Sequence, residues 1–329
     1  MKTNNKILTI TIPSYNVEKY LPEVIPTYFA DEVIDDIEIL IVNDGSKDNT
    51  SKIAMDYVEM YPNSIKLINK ENGGHGSTIN VGIKNASGKY FKVIDGDDWV
   101  KTDELVKFVN VLKNRDEDLI LNSFNKVNVD TGEVTIKRIS CLEEGIVYNI
   151  KDVISKLKNN YQMHGFTIKT SIIKKIKKID ENCFYVDQEF ILYPLEYIRD
   201  VVYYDIPLYQ YRIGNSEQSM SLKNMQKNRG MHKRVIFSLI NMLPINDVGI
   251  DEFIKFKAEK MSQFQIDIYF SLKSKEAAKK ELFDFLYDIK HKSIDIYKGI
   301  PGKKMKLLRL SKNLGYLLIC LSRRHKNED

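Results

Sequence analysis

Three carboxylates fall within four residues at Asp95-Gly96-Asp97-Asp98. Two unit charges 4 Å apart repel by about 1 kcal/mol in water and by about 4 kcal/mol at an effective dielectric near 20. A partly buried cluster of this kind favours a cation. Mg²⁺ or Mn²⁺ takes oxygen ligands and keeps positions open for water and phosphate oxygens. The same four residues also read as a strand-ending turn in which Asp97 or Asp98 caps the following helix. Asp44-Gly45-Ser46 carries a further acid, compatible with an ordinary Asx turn, and Tyr15 is compatible with ordinary packing. Glu71-Asn72-Gly73-Gly74-His75-Gly76-Ser77 leads into a helical pattern, where glycines allow a phosphate close to a helix N-terminus. It misses the dinucleotide fingerprint, because Ile79 stands where the third glycine of G-x-G-x-x-G belongs. No G-x-x-x-x-G-K-[ST] occurs, which excludes a P-loop NTPase. His75 reads as a ligand or as a turn histidine.

The elements that must position these residues alternate cleanly over the first 125 positions. Ile7–Ile12, Ile37–Val42, Ile65–Asn69, Tyr90–Ile94 and Leu119–Asn122 read as strands. Val17–Phe29, Asp48–Tyr61 (capped by Asp48 or Asn49), Ser77–Ala86 and Thr102–Asn114 (capped by Thr102) read as helices. Strands and helices alternating at this spacing predict right-handed βαβ crossovers and a mostly parallel sheet flanked by helices. Ligands bind such sheets outside the carboxyl ends of the strands. Here those ends are Pro13-Ser14-Tyr15-Asn16, Asn43-Asp44-Gly45-Ser46 and Asp95–Asp98, so one rim gathers acids, amides and an aromatic ring. Asn125–Ile139 reads as a hairpin around Asp130-Thr131-Gly132. Asp152–Asn159, Ser171–Lys177 and Asp187–Tyr197 read as helices, and Val201–Tyr211 as one or two edge strands broken at Pro207. Residues 227–300 read as all-helical, interrupted near Pro244. The expected organisation is 1–220, divided into a nucleotide-binding half (1–115) and an acceptor-binding half (116–220), followed by a helical region at 221–329.

In order along the chain, Ile12-Pro13-Ser14-Tyr15-Asn16, Val42–Thr50, Glu71-Asn72-Gly73-Gly74 with Asn80-Val81-Gly82, Gly88-Lys89-Tyr90 and Asp95-Gly96-Asp97-Asp98 resemble a family 2 glycosyltransferase of the nucleotide-diphospho-sugar transferase (glycosyltransferase-A) fold. The resemblance is strong over 7–110 and weaker to about 220. It implies an inverting, metal-dependent transfer of a sugar from a nucleotide-diphosphate donor, a UDP-sugar first, to a hydroxyl of a saccharide or lipid-linked saccharide. Pro13, Tyr15, Asn16, Asp44, Gly74, Asn80, Lys89, Asp95, Gly96 and Asp97 would then bind the nucleotide-sugar. Tyr15 would lie near the base, Asp44 would hydrogen-bond it, and Asp97 with Asp95 would hold Mn²⁺ or Mg²⁺. A downstream carboxylate would be the base, matched at Tyr185-Val186-Asp187-Gln188-Glu189 by Asp187, with Glu189 as runner-up. Asp187 also reads as a helix cap. Ile79 replaces an arginine common in relatives, so Lys89 or Arg212 would have to help neutralise the diphosphate. His164, Arg212 and Gln218 are candidates for acceptor or phosphate contact. The Gln-x-x-Arg-Trp signature of processive synthases is missing, which implies single additions. The alternatives are a sugar-nucleotide pyrophosphorylase, whose Gly-rich basic loop after strand one is replaced here by Pro13-Ser14-Tyr15-Asn16, and a non-catalytic sugar-nucleotide-binding protein.

Charge points the same way. Lys+Arg total 50 against Asp+Glu 45. Residues 301–329 hold eight basic and two acidic residues, so the remaining 300 are nearly neutral and a nucleic-acid-binding body is not expected. Three cysteines without a CxxC pair fit a reducing compartment. No segment reads as a signal peptide, and the apolar run Leu314–Leu321 is far short of the roughly 20 residues that span a bilayer. The expectation is a cytoplasmic protein. Residues 303–324 interleave Lys/Arg with leucines, as in helices that lie on an anionic membrane surface. Packing of that segment on the domain or on a second copy in a homodimer is the alternative.

Overall fold

The computed structural model describes residues 6–214 and 222–324. The chain forms two compact units, Met1–Ser216 and Glu217–Asp329. The first is built on one sheet of ten strands: β1 (Leu8–Ser14), β2 (Ile37–Asn43), β3 (Ile65–Asn69), β4 (Tyr90–Val93), β5 (Trp99–Val100), β6 (Leu119–Asn128), β7 (Val134–Lys137), β8 (Val147–Asn149), β9 (Phe166–Lys169) and β10 (Asp200–Ile213). Their order is β3-β2-β1-β4-β9-β6-β10-β5, with β7 on β6 and β8 on β10. Every residue of β1 and β2 is buried, as strands covered by helices on both faces must be. Parallel pairing sets Ser14 beside Asn43 and Thr11 beside Val93, so the carboxyl ends of β1, β2 and β4 finish on one rim. The helices of this half are α1 (Leu21–Val24), α2 (Thr50–Met60), α3 (His75–Asn85) and α4 (Thr102–Lys113), followed by α5 (Ile150–Val153), α6 (Thr170–Ile173) and α7 (Asp187–Leu192).

Three local expectations are corrected and one strand is added. The helix read over Val17–Phe29 is one turn of α1 followed by a 3₁₀ turn at Ile25–Tyr28, because Pro26 has no amide hydrogen to continue the ladder. Thr102 does not cap α4; it is the first helical residue, and its hydroxyl donates to the Thr27 carbonyl at 2.8 Å. A short antiparallel strand, β9, sits between β4 and β6; four residues are too few to show a period. Finally, Val201–Tyr211 is not an edge. It belongs to one long strand, β10, paired with β6, β5 and β8, and Pro207 lies in the register break between Tyr204 and Tyr209 where no ladder bond is needed.

The second unit is helical among the described residues: α8 (Leu222–Lys227), α9 (Arg229–Ile240), α10 (Val248–Ser271), α11 (Lys275–Lys292), α12 (Ile294–Gly299), α13 (Lys303–Leu310) and α14 (Lys312–Arg324). Its core gathers Ile236, Ala258, Ile266, Leu282, Phe285 and Ile289. Asp247 and Ser293 cap α10 and α12 through side-chain bonds to Ile250 N and Ile296 N. Among the described residues no helix is long and apolar enough to cross a membrane.

Candidate active site

The rim is stitched together by backbone bonds between strand ends. Asp44 N donates to Ser14 O at 2.8 Å and Gly96 N to Pro13 O at 3.2 Å. Asn16, at a left-handed φ of 53°, accepts from Lys47 N through its side chain, and its own N–H donates to the Ser46 hydroxyl. Tyr15, next to it, is half exposed.

Asp44 organises the glycine turn. Its Oδ1 accepts from Lys70 Nζ at 2.6 Å and Gly73 N at 2.9 Å, its Oδ2 accepts from Gly74 N at 2.8 Å, and its carbonyl accepts from Asn72. The carboxylate is thus engaged with groups of its own chain and buried, whereas the resemblance implied a contact to the base. Gly74, at φ 79°, is the N-cap of α3, a conformation that an L side chain rarely adopts. Asn80 departs from its expected role in the same sense. Its amide bonds both N–H and C=O of Ile179, at 3.0 and 2.9 Å, and so ties α3 to the segment that precedes α7. Asn182 N donates to Gly73 O and reinforces that tie.

The aspartate cluster divides by environment. Asp98 is fully buried, accepts from the Tyr209 hydroxyl at 2.7 Å and Arg212 N at 2.7 Å, and has its pKa pushed well up by burial and by Asp97 and Asp95. It anchors the turn to β10. Asp95 and Asp97 stay half-buried at the rim. Burial, then Asp95, raises the pKa of Asp97, against the opposing pull of Arg212 and His75. His75 Nδ1 lies 3.7 Å from Asp95 Oδ1. Two hard-oxygen side chains one residue apart, whose mutual repulsion a cation would relieve, fit Mg²⁺ or Mn²⁺. No group of three or more His, Cys, Asp or Glu among the described residues could hold a metal alone. Such an ion would complete its shell with diphosphate oxygens and water.

Asp187 is the first residue of α7, and Val186 occupies the cap position without a side-chain bond, so capping is not its role. Gln188 Nε2 donates to its Oδ2 at 2.8 Å, and burial raises its pKa. Tyr185, just before it, holds φ at 68°, an outlier for an aromatic residue. Such strain persists where surrounding contacts over-determine the backbone. Glu189 is corrected as runner-up base: it is fully buried and its Oε2 accepts from Asp180 N at 2.8 Å. The Tyr211 hydroxyl feels both acidic groups. Its pKa is pushed to about 12 by burial and by Asp98, Asp95, Asp97 and Asp187 together.

Of the two basic candidates, one is corrected and the other stays beside the aspartates. Lys89 precedes β4 at its amino end, opposite the rim, and pairs with Asp116 at 3.4 Å. Arg212 braces the aspartate turn: Nε donates to Asp97 O at 2.7 Å, the guanidinium lies over Trp99 and Tyr20, and Nη2 lies 3.6 Å from Glu23. His164 is packed between Phe124, Tyr209 and Tyr211, with ring centroids 4.3–4.9 Å apart, and burial followed by Lys92 and Lys126 lowers its pKa to about 3. Gln218 lies outside the described residues. Sequence reasoning missed Lys70 and Tyr209.

A family model described as glycosyl transferase family 2 matches residues 9–178. An uncharacterized glycosyltransferase of Rickettsia prowazekii is 41% identical over 118 residues, 35% of this chain and 36% of that protein. Glycosyltransferase GlyA of Streptococcus pneumoniae is 26% identical over 247 residues, 71% of this chain and 34% of that protein. The chain thus spans about a third of the length of these curated relatives. Among solved structures, S. aureus TarS 1–349 in complex with UDP-GlcNAc superposes with a TM-score of 0.70 at 19% identity, covering 97% of this chain and 92% of that one. Mannosyltransferase PcManGT from Pyrobaculum calidifontis, in complex with GDP-Man and Mn²⁺, gives 0.52 at 14% identity, covering 97% and 84%. The sheet is thus the glycosyltransferase-A fold, mixed and mostly parallel. Since the family match takes in more than half of the sequence, the protein belongs to glycosyl transferase family 2.

Proposed function

We propose that the protein is an inverting, metal-dependent glycosyltransferase that adds single sugars from a nucleotide-diphosphate donor, a UDP-sugar first, to a hydroxyl of a saccharide or lipid-linked saccharide during synthesis of a cell-surface polysaccharide or glycoconjugate. The observation that carries this reading is the rim itself, where His75, at the head of the Asp44-held glycine turn, lies 3.7 Å from Asp95, and the charges of both His75 and Asp95 act on Asp187. Asp95 and Asp97 would hold Mn²⁺ or Mg²⁺, which neutralises charge building on a departing nucleoside diphosphate. Asp187 receives the proton of the acceptor hydroxyl, and burial raises its proton affinity toward what a general base needs. The UDP-GlcNAc bound by TarS supports a uridine donor, and the Mn²⁺ in PcManGT supports the cation. A match to the minor teichoic acid biosynthesis protein GgaB of Bacillus subtilis, 38% identical over 117 residues, supports the cell-surface setting.

A peripheral position on an anionic inner membrane surface fits α14, which buries Tyr316 and Ile319 and exposes Leu314, Leu317, Leu318 and Leu321, beside the exposed Lys303, Lys306 and Lys312. Liposome binding that survives deletion of 303–329 would count against it. The central test is a thermal-shift panel of UDP-, GDP- and dTDP-sugars with and without Mn²⁺, followed by donor hydrolysis. Metal-dependent stabilisation by UDP-sugars is the expected result. The same shift without metal, or none with any nucleotide sugar, would overturn the reading.

A further inference from the structure

We propose that Lys126 and Lys137 form an anion subsite on the acceptor side of the rim, which reads a phosphate or carboxylate group carried by an acidic acceptor. This rests on the glycosyltransferase reading above and names the class of its acceptor. Lys126, on β6, is paired in register with Tyr211 of β10, and its Nζ lies 5.9 Å from the centre of the Tyr211 ring. Lys137, on β7, is paired with Phe124, two residues before Lys126. Paired residues and residues two apart share a face of a sheet, so both lysines, Phe124 and Tyr211 look the same way.

Among the described residues neither lysine has a carboxylate partner. Burial and then the positive charge of Lys137 lower the pKa of Lys126, both disfavouring its charged form. Lys66, Lys70, Lys89, Lys113 and Lys169 of the same unit each sit on a carboxylate. A pair of cations kept close without a counterion is relieved by an anion from outside. Its neighbour suits a sugar: Tyr211 is partly exposed and backed by the His164 ring at 4.3 Å, an aromatic face for the apolar side of a saccharide. The side of the rim argues for the acceptor over the donor. The glycine turn follows β3 and is held by Asp44 at the end of β2, while β4 and β9 separate β1 from β6. Tyr211 lies beside Lys126 and also feels the charges of Asp95, Asp97, Asp98 and Asp187, so one acceptor could present a hydroxyl to Asp187 and a charged group to Lys126.

The test titrates the protein, saturated with UDP and Mn²⁺, with glycerol 1-phosphate, glucuronate and uncharged glycerol by calorimetry. The charged probes should bind and glycerol should not. Preference for the phosphate assigns a phosphodiester acceptor, and preference for glucuronate a uronate one. The Lys126→Gln/Lys137→Gln variant should weaken the preferred probe about tenfold or more, the scale of losing one or two close charge contacts, with UDP·Mn²⁺ affinity and melting temperature unchanged. Charged probes that bind no better than glycerol, or equally well in the variant, would overturn the proposal. Loss of UDP·Mn²⁺ affinity in the variant would overturn it too, by moving the pair to the donor diphosphate. Failure of the wild-type protein to bind UDP with Mn²⁺ would strike the nucleotide-sugar reading instead, and the same titrations without nucleotide would still decide the lysine pair.

Discussion

His164 in the sheet unit and His232 in the helical unit are both held neutral by burial, with pKa values lowered to about 3 and about 4. Their surroundings differ. His232 Nδ1 lies 2.6 Å from Gln265 Oε1, and Gln265 Nε2 in turn donates to Arg229 O, a network that closes on itself. His164 is wrapped in aromatic rings, and its buried Nδ1 has no hydrogen-bond partner among the described residues. Close by, burial and neighbouring aspartates raise the pKa values of Asp97, Asp98 and Asp187, and all of these acids together with Asp95 act on Tyr211. Buried polar groups are normally satisfied, and clusters that forgo stability in this way mark working sites. The helical unit spends its polar residues on holding itself together. The sheet unit concentrates frustrated charge at one rim.

This contrast can be broken most sharply at Asp187. Asp187→Asn should lower transfer by about 10²- to 10⁴-fold, the scale of a lost general base, while donor affinity and melting temperature stay close to wild type. Near-wild-type turnover would remove Asp187 from the role. Leu282→Ala in the helical core should do the reverse in kind, lowering unfolding free energy by about 2–5 kcal/mol in denaturant melts. A loss below 1 kcal/mol would show that the core around Leu282 is loosely packed.

The pH dependence of the closed network comes next in size. The folded pKa of His232 lies below its unfolded value, so the unfolded state binds more protons between pH 6.5 and about 4. Stability is therefore complete above pH 6.5 and is lost as pH falls through that window, by up to about 3 kcal/mol. Melts of wild type and His232→Gln from pH 7.5 to 4 should show a flatter slope in the variant; equal slopes would sink the assignment. The smallest effect is expected at the joint between α3 and the segment before α7. Asn80→Ala, which removes two bonds to the Ile179 backbone, should cost about 1–2 kcal/mol and lower kcat more than donor affinity. An unchanged kcat would show that this tie does not position Asp187.

The sequence was informative wherever structure is local. The fully apolar Ile37–Val42, the glycines of 73–76 and the polar strand ends at 13–16, 43–46 and 95–98 each announce a strand, a turn or a rim within a few residues. Alternation of strand and helix then leaves few topologies. The resemblance ranked Asp187 above Glu189 as the base, but gave no physical reason for the ranking. The two carboxylates differ through burial and through the Asp180 amide that Glu189 accepts, and both are consequences of packing.

By itself, then, the chain determined the parallel half-sheet, its helices and the line of acids along one edge, since periodicity and turn chemistry act over short separations. The tertiary structure alone decided that Pro207 falls inside the sheet, that Lys70 and the glycine turn engage Asp44, that Lys89 faces the wrong end, and that Tyr209 anchors Asp98 from 111 positions away. Those choices depend on which strands pair and which charges are desolvated. Both follow from burial of the whole chain and leave no trace in any short window of residues.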